Sequence, residues 1–345
     1  MLKLSLNRAG DLFAKMAEAQ ALYLPVEKAG QVDYDKWTAD AKVSMDHLNT
    51  AKSAKDLFFP QVERMVDFKM DGKNIEIKPH ALSDEKFVLF GVRACDMKSM
   101  EVLDKVFLAE PVDSFYAARR ANGTVVTMAC SEPEESCFCN VFGIDAANPA
   151  GDVVTWKVDG ELYWKALTEK GEALTEQIKA VFAEVDAADE AKVEESKQAV
   201  SEIMKKLPLA GLNLAPFQPE KLNEMFNSPK WAKLSEACLG CGTCTFVCPT
   251  CQCYDIRDYD TGHGIQRFRC WDSCMYSDFT MMAHGTNRPD QMQRFRQRFM
   301  HKLIYFPSNN DGMYSCVGCG RCVSKCPISM NIAKVIKALG EDKDE

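Results

Sequence analysis

The sequence has no long apolar run. Nowhere in its 345 residues do about 18 or more apolar residues follow one another, so no membrane-spanning helix is expected. The opening residues lack the apolar core of a secretory signal peptide, which predicts a cytoplasmic protein with reduced thiols. No G-x-G-x-x-G stands between a strand pattern and a helix pattern, so a flavin or nicotinamide site is not expected. The formal net charge of -8 disfavours nucleic acid as a partner.

Cysteine, by contrast, is abundant, with 16 residues. Eight of them form two copies of the spacing C-x2-C-x2-C-x3-C-P, which is typical of [4Fe-4S] clusters. Where a chain has two such runs, the first three thiolates of each run hold one cluster and the fourth reaches the other cluster. The predicted ligands are Cys238, Cys241, Cys244 and Cys326 for cluster 1, and Cys316, Cys319, Cys322 and Cys248 for cluster 2.

Structural zinc and disulfides are the alternative uses of these eight cysteines. Zinc sites usually take two separated C-x2-C pairs, whereas here three ligands fall in one compact run. Disulfides are disfavoured because a cytoplasmic protein keeps its thiols reduced. The spacing therefore predicts two [4Fe-4S] clusters.

The order of apolar patterns predicts an α/β (α+β) N-terminal domain over residues 1–165. Residues 87–92 and 123–129 are apolar runs of the kind found in strands that are buried on both faces. A helical pattern follows at 97–107, and residues 156–164 alternate around Asp159 and Gly160 like a hairpin. An opening amphipathic helix is expected to bury Leu12, Met16 and Leu22.

The remainder is expected to form two further parts. Residues 166–220 are predicted to be a helical bridge that ends in an irregular linker. Residues 221–345 are predicted to be a bacterial-ferredoxin-like dicluster domain with a long insertion over 249–315.

Four more cysteines lie in the N-terminal part. Cys95 and Cys130 follow the two buried strands, and Cys137 and Cys139 lie on the next loop. Because parallel strands end at one edge of a sheet, these thiols are expected to converge there. They predict a third [4Fe-4S] cluster, with zinc and unrelated buried thiols as the alternatives.

The last four cysteines are Cys251, Cys253, Cys270 and Cys274. Their C-x-C and C-x3-C spacings are compatible with an additional iron–sulfur site, for example a binuclear cluster. Free thiols packed behind the ferredoxin core are the alternative.

The insertion combines a hairpin pattern with a basic helix. Residues 254–258 and 267–269 alternate around a turn at Gly262 and Gly264. A helix over 291–305 then carries Arg294, Arg296, Arg298 and Lys302. These cations are interpreted as a partner-docking surface, as charges that offset the clusters, or as a solvated helix face.

Several motifs together resemble one known family. They are Val92-Arg93-Ala94-Cys95-Asp96, Cys137-Phe138-Cys139, Trp271-Asp272-Ser273-Cys274, and the stretch from Arg294 through His301-Lys302, set between the two cysteine runs. This combination resembles the iron–sulfur subunit shared by sulfhydrogenase beta chains and anaerobic sulfite reductase A chains. It also resembles the related subunit of flavin oxidoreductases that are coupled to heterodisulfide reductase. The resemblance extends over most of the chain from about residue 87.

The resemblance implies an electron-transfer subunit of a multi-subunit anaerobic oxidoreductase. Such a subunit relays single electrons between a flavin/NAD(P)H-oxidising reductase subunit and a catalytic subunit, which is a hydrogenase, a sulfite reductase or a heterodisulfide reductase. It acts as an electron carrier and not as the site of substrate chemistry. The alternative is a self-contained reductase of sulfur compounds that uses the extra cysteines as its substrate site. Lys325 and Arg321 beside one run, and Glu236 beside the other, predict unequal cluster potentials.

Overall fold

The structure is a computed structural model and describes residues 1–341. Within them lie fourteen strands: β1 (Leu2–Ser5), β2 (Ala21–Lys28), β3 (Gln31–Lys36), β4 (Val62–Asp71), β5 (Asn74–Pro79), β6 (Phe87–Val92), β7 (Gly123–Met128), β8 (Val153–Val158), β9 (Glu161–Ala166), β10 (Ala183–Glu184), β11 (Tyr254–Asp260), β12 (Ile265–Trp271), β13 (Met281–Met282) and β14 (Gly285–Thr286).

The same residues form twelve α-helices: α1 (Ala9–Ala19), α2 (Ala94–Phe107), α3 (Ser114–Asn122), α4 (Glu169–Ile178), α5 (Ala187–Lys206), α6 (Leu222–Phe226), α7 (Lys230–Glu236), α8 (Thr243–Phe246), α9 (Gln291–Met300), α10 (Phe306–Asn309), α11 (Arg321–Ser324) and α12 (Ile332–Gly340). A π-helical segment, His301–Tyr305, joins α9 to α10. Short 3-10 turns lie at Leu6–Arg8, Ala54–Leu57, Cys139–Phe142, Lys179–Val181, Pro219–Lys221 and Asp278–Thr280.

The N-terminal part is built on an eight-stranded sheet in the order β10-β1-β9-β8-β7-β6-β2-β3. Its central strands β8, β7, β6 and β2 are parallel, and the outer strands are antiparallel. Helices α1 and α4 pack on one face, while α2 and α5 cover the other. The predicted α/β layer and the β8–β9 hairpin are confirmed. Leu22 differs from the prediction because α1 ends at Ala19, which places Leu22 in β2.

A second, four-stranded antiparallel sheet has the order β11-β12-β4-β5. The predicted hairpin of the insertion forms β11 and β12, and β12 pairs with β4 from the N-terminal part. Arg269 on β12 is 1% exposed, and its Nε donates to Glu63 at 2.6 Å. Its guanidinium also pairs with Asp113. The insertion is therefore anchored on the N-terminal half.

The C-terminal part has its own apolar core, which includes Trp231, Phe295, Phe299, Val335 and Ile336. The predicted bridge is irregular after Lys206, as expected, but its helices α4 and α5 pack on the large sheet. The predicted domain limits stay a prediction, and both sheet pairing and helix packing cross them. Among residues 1–341, no helix is both long enough and apolar enough to cross a membrane.

Candidate iron–sulfur centres

The two cysteine runs fold in the same way. In each run a glycine with positive φ follows the first cysteine, Gly240 at 67° and Gly318 at 58°. These left-handed turns aim backbone amides at sulfur. The Gly240 amide lies 3.5 Å from the Cys238 Sγ, and the Gly318 amide donates to the Cys316 sulfur. Both runs therefore present amide donors to their thiolates.

Four thiols from both runs line one cavity, which we call the cluster 2 cradle: Cys248, Cys316, Cys319 and Cys322. Cys248 comes from the first run and the other three come from the second. The structure thus brings together the set that the spacing predicts for cluster 2. Burial raises the pKa of Cys316 to about 12, so the thiolate form needs compensation by positive charge.

Two buried cations of the basic helix line the same cavity. Lys302 is 3% exposed, and its Nζ donates to Thr250 Oγ1 at 2.7 Å and to the Ser315 carbonyl at 3.0 Å. Burial favours neutral Lys302, but the Cys248 and Cys251 thiolates raise its pKa overall. Lys302 is therefore a fixed positive charge beside the cradle.

Arg298 is 2% exposed, and its Nη2 donates to the Cys244 carbonyl at 2.8 Å. Its Nε and Nη1 have no hydrogen-bond partner among the described residues. Buried N–H donors without a partner, on a side chain that lines a cavity of thiols, are suited to donate to the acceptor sulfurs of a cluster. Arg298 and Lys302 do not lie on the docking surface that the sequence suggested, because burial removes them from reach of a partner. They fit the other interpretation, charges that offset the clusters.

The other two cations of the helix, Arg294 and Arg296, are partly exposed. Arg294 donates to backbone carbonyls, among them Pro289 at 2.7 Å. Arg296 donates to the Phe226 carbonyl and lies 3.6 Å from the centroid of its ring. A docking role for these two stays a prediction.

A third buried cation, Lys55, has no sequence motif that marks it. It is 1% exposed, and its Nζ donates to the carbonyls of Cys248 at 3.1 Å and Cys251 at 2.9 Å. The ammonium also lies 3.7 Å from the centroid of the Trp271 ring. Burial lowers the pKa of Lys55 to about 8. This cation comes from the N-terminal half, so both halves of the chain surround the cradle.

The cluster 1 set combines one exposed thiol with three partly exposed ones. Cys241 is exposed, and a hydrogen bond with Thr243 at 3.4 Å lowers its pKa. Cys244 is more buried, and Cys238 and Cys322 are among the thiols whose charges act on it. Helices α8 and α11, which carry Cys244 and Cys322, contact each other. The Cys326 sulfur lies 3.4 Å from the Met330 carbonyl, and its predicted place in the cluster 1 set stays a prediction.

The N-terminal thiol set is Cys95, Cys130, Cys137 and Cys139. Burial raises the pKa of Cys137 to about 11 and that of Cys139 to about 12, and each is also raised by the neighbouring Cys130. Cys95 interacts with Cys139 and with Cys319 of the cradle. The structure therefore brings the four thiols into one region that adjoins the cluster 2 cradle.

Buried arginines accompany this set as well. Arg93 donates to the Ala129 carbonyl at 2.8 Å, and its charge acts on Cys130. Its buried Nε has no partner within residues 1–341. Arg321 forms a two-bond pair with the buried Asp96, at 2.5 and 2.7 Å. The Asp96 carboxylate neutralises the charge of Arg321. Arg321 should therefore raise the cluster potential less than its position next to Cys322 in the sequence predicts.

The loop of the N-terminal set contacts the second cysteine run directly. The Phe138 amide donates to the Gly318 carbonyl at 2.9 Å, and Phe138 lines the cradle. At Gly320, with φ 80°, an added Cβ would lie 2.6 Å from the Ser136 carbonyl oxygen. Only glycine permits this close approach of the two backbones. The fold therefore holds the N-terminal thiol set next to the cluster 2 cradle.

The last four cysteines do not form one group. Cys253 and Cys274 shift each other's pKa in opposite directions, and Cys248 and Cys251 do the same. Cys270 lies on β12. The charged groups that act on it in the described structure are Arg257, Asp255 and Asp272, and no other thiol is among them. The predicted four-ligand site therefore lacks Cys270, because strand pairing holds that residue away from the others.

Within the described chain, no group of three or more His, Cys, Asp or Glu residues has the tight spacing of a single-ion site. A [4Fe-4S] cluster distributes its thiolates over four irons, so its ligands stand farther apart than those of one ion. The cradle and the orphaned arginine donors fit such a cluster.

Residues 237–330 match the family described as "4Fe-4S dicluster domain". The fold and site thus define an iron–sulfur protein with an N-terminal sheet domain and a C-terminal dicluster domain, and they imply bound [4Fe-4S] clusters. The chain is also 31% identical over 334 residues to "Sulfhydrogenase 2 subunit beta" of Pyrococcus furiosus, covering 96% of each chain. It therefore belongs to the family of sulfhydrogenase beta subunits, which confirms the resemblance drawn from its motifs. No solved structure matches it.

Proposed function

We propose that this protein relays single electrons through three [4Fe-4S] clusters. The proposed ligands are the cluster 1 set, the cluster 2 cradle and the N-terminal thiol set. Electrons pass between a flavin/NAD(P)H-oxidising subunit and a catalytic subunit of the hydrogenase, sulfite reductase or heterodisulfide reductase type. The name of the Pyrococcus furiosus relative favours a hydrogenase.

The contact between the N-terminal thiol set and the cradle carries this proposal. Cys139 and Phe138 are consecutive, and Phe138 reaches Gly318 between Cys316 and Cys319. Cys95 and Cys319 share one buried cluster of side chains. Electron transfer is fast only over short distances, and this packing supplies a short path from the large sheet to the dicluster domain.

A bound [4Fe-4S] cluster supplies one-electron redox chemistry. The cysteines hold it, and the amides of Gly240 and Gly318 donate to ligand sulfurs. Arg298, Lys302 and Lys55 offset the negative charge of the cluster 2 region. Phe138 and Ile332 line the cradle and exclude water from it. These contributions set the potential of each site through hydrogen bonds, charge and burial.

Iron and sulfide analysis of anaerobically purified protein tests the proposal. Three cubanes give about twelve irons and twelve sulfides per chain. The double variant Cys95→Ala/Cys139→Ala is expected to retain about eight irons, and Cys270→Ala, the matched control, about twelve. About eight irons in the unmodified chain, with zinc in addition, would remove the third cluster from the proposal.

Measurements on the isolated chain also distinguish the relay from the alternative function, a self-contained reductase. A relay shows reversible one-electron EPR signals but does not turn over sulfite or a disulfide without its partner subunits. Catalytic turnover by the isolated chain would instead establish a self-contained reductase.

A further inference from the structure

Two residues of the motif Trp271-Asp272-Ser273-Cys274, Trp271 and Ser273, carry no thiol but lie close to the first cysteine run. Ser273 is fully buried, and its Oγ lies 2.8 Å from Thr245 Oγ1. Thr245 follows Cys244, and its Oγ1 also donates to the Gly242 carbonyl at 2.6 Å. The motif is therefore fixed on the first run at its Ser273 end.

Trp271, at the other end, is held in one orientation by the N-terminal half. Its Nε1 donates to the Phe59 carbonyl at 3.1 Å, and its backbone amide donates to the Gln61 carbonyl at 2.9 Å. The indole stacks on the Phe59 ring, with 6.0 Å between the ring centroids and 29° between the ring planes. The face of the indole therefore has a fixed position.

That face contacts the buried ammonium of Lys55. An ammonium has three N–H donors, and two hydrogen bonds of Lys55 Nζ go to the carbonyls of Cys248 and Cys251. The indole centroid lies 3.7 Å from the same Nζ. A desolvated cation over an indole is attracted by the quadrupole of the ring. Because lysine has a flexible four-carbon stem, loss of the indole would free its charge to move away from Cys248.

We propose that Trp271 is a positioning residue that holds the Lys55 charge beside the cluster 2 cradle and so raises the potential of cluster 2. This role rests on the proposed relay, because it requires a cluster in the cradle. A fixed positive charge beside Cys248 favours the reduced state, which carries one more negative charge than the oxidised state. Trp271 thus acts on the potential through Lys55.

Potentiometric EPR on the anaerobically purified full chain tests this role. Lys55→Met should lower one midpoint potential, which identifies the cluster that the charge affects. Trp271→Leu should lower the same midpoint potential, and Trp271→Phe, which keeps an aromatic face, should restore most of it. The double variant Lys55→Met/Trp271→Leu should have the same potential as Lys55→Met alone, since the indole has no charge left to hold.

Tyr254→Leu is the matched control. Tyr254 is paired with Trp271 across β11 and β12 and packs against the same Phe59 ring, with 6.1 Å between the centroids. Within residues 1–341, no hydrogen bond or cation–π contact joins Tyr254 to Lys55. Its replacement should therefore leave the midpoint potential unchanged. An equal shift in Tyr254→Leu, or additive shifts in the double variant, would overturn the proposal.

Amine labelling gives a second readout that needs no bound iron. Because Lys55 is buried, acetic anhydride should modify it far more slowly than the exposed Lys52. Trp271→Leu should increase the labelling of Lys55 severalfold and leave Lys302, which is also buried, protected. Unchanged labelling of Lys55 in Trp271→Leu would overturn the positioning role, and so would equal labelling of Lys55 and Lys302, which indicates general unfolding. The relay itself is judged by the iron count of the unmodified chain, so the two proposals can be told apart if one fails.

Discussion

Single residues set the charge around the cluster 2 cradle, and Lys302 is one of the buried cations among them. Replacing it with Met removes a positive charge that water cannot screen. The potential of one cluster should therefore fall on the order of 50–100 mV, as for a unit charge several Å away at an effective dielectric constant of about 20. Potentiometric EPR on the reduced protein measures this shift.

Lys302→Arg should restore most of the potential because it restores the charge. Lys325→Met is the exposed control: it also removes a positive charge close to a cluster cysteine, but solvent screens it. Equal shifts in Lys302→Met and Lys325→Met would show that burial does not govern the effect.

His301 begins the π-helical segment and packs against Phe306. Burial, aided by the charges of Lys302 and Arg288, lowers its pKa to about 4. The folded state therefore binds this proton less well than the unfolded state, and stability falls as pH drops from about 6.5 towards about 4. Between pH 7 and 5.5 the loss from this group is about 1 kcal/mol.

His301→Gln should therefore flatten the pH dependence of the free energy of unfolding by that amount, whatever its effect at neutral pH. Denaturant unfolding at the two pH values measures the slope. His263→Gln, on the exposed turn between β11 and β12, serves as the control. An unchanged slope in His301→Gln would contradict the assignment.

For single residues, the sequence predicted which cysteines line the cradle, but it did not predict which cations are buried beside them. The cysteine spacing predicted the cradle set because iron–sulfur ligation fixes residue type and interval together. The burial of Arg298 and Lys302 was not predictable, because a helix with four cations has the same local pattern when it faces solvent. Lys55 belongs to no motif, and only tertiary packing brings it to Cys248.

The turns of the second cysteine run hold two parts of the chain together. Gly320 and Gly312 share a φ of 80°, but only Gly320 has a backbone oxygen, that of Ser136, where a Cβ would stand. Gly320→Ala should therefore separate the loop at Ser136 from the run and lower the iron content of the cradle and of the proposed third cluster. Iron analysis and EPR of the purified variants measure this.

Gly312→Ala carries the same left-handed strain, roughly 1–2 kcal/mol, without a clash in the described structure. It should fold with its full iron content. If both variants lose iron alike, backbone strain and not the contact with Ser136 is responsible.

Elements with a local signal could be predicted, and elements paired over long intervals could not. The apolar runs predicted β6 and β7, and the turn at Asp159 predicted the hairpin of β8 and β9. Burial on both faces and a turn with positive φ each require a residue pattern that lies within a few positions of the sequence. The pairing of β4 with β12 requires no such pattern, because each strand alone is compatible with many partners. The second sheet was therefore not predictable as one unit.

Considered whole, the molecule is expected to unfold as one cooperative unit, despite the two domains suggested by its sequence. β12 pairs with β4, and Arg321 reaches Asp96 across 225 residues of sequence. Loss of far-UV circular dichroism and bleaching of the cluster absorbance should therefore coincide on heating. Two separated transitions would indicate independent domains.

Asp96→Asn tests the link between the halves. It leaves Arg321 buried without its counter-charge, which costs about 3–5 kcal/mol, so both signals should move to lower temperature together. Asp311→Asn, whose carboxylate is exposed and pairs with Lys105, should leave both transitions in place.

The longest of these contacts, from Arg321 to the Thr50 carbonyl, spans 271 residues. A chain still on the ribosome lacks that partner until almost all of it has been synthesised, so the N-terminal thiols emerge long before the segment that encloses them. On the proposed relay, a cluster held by these thiols becomes enclosed only when translation is nearly finished, and a chaperone that shields bare cysteines in the meantime would increase the yield of complete protein.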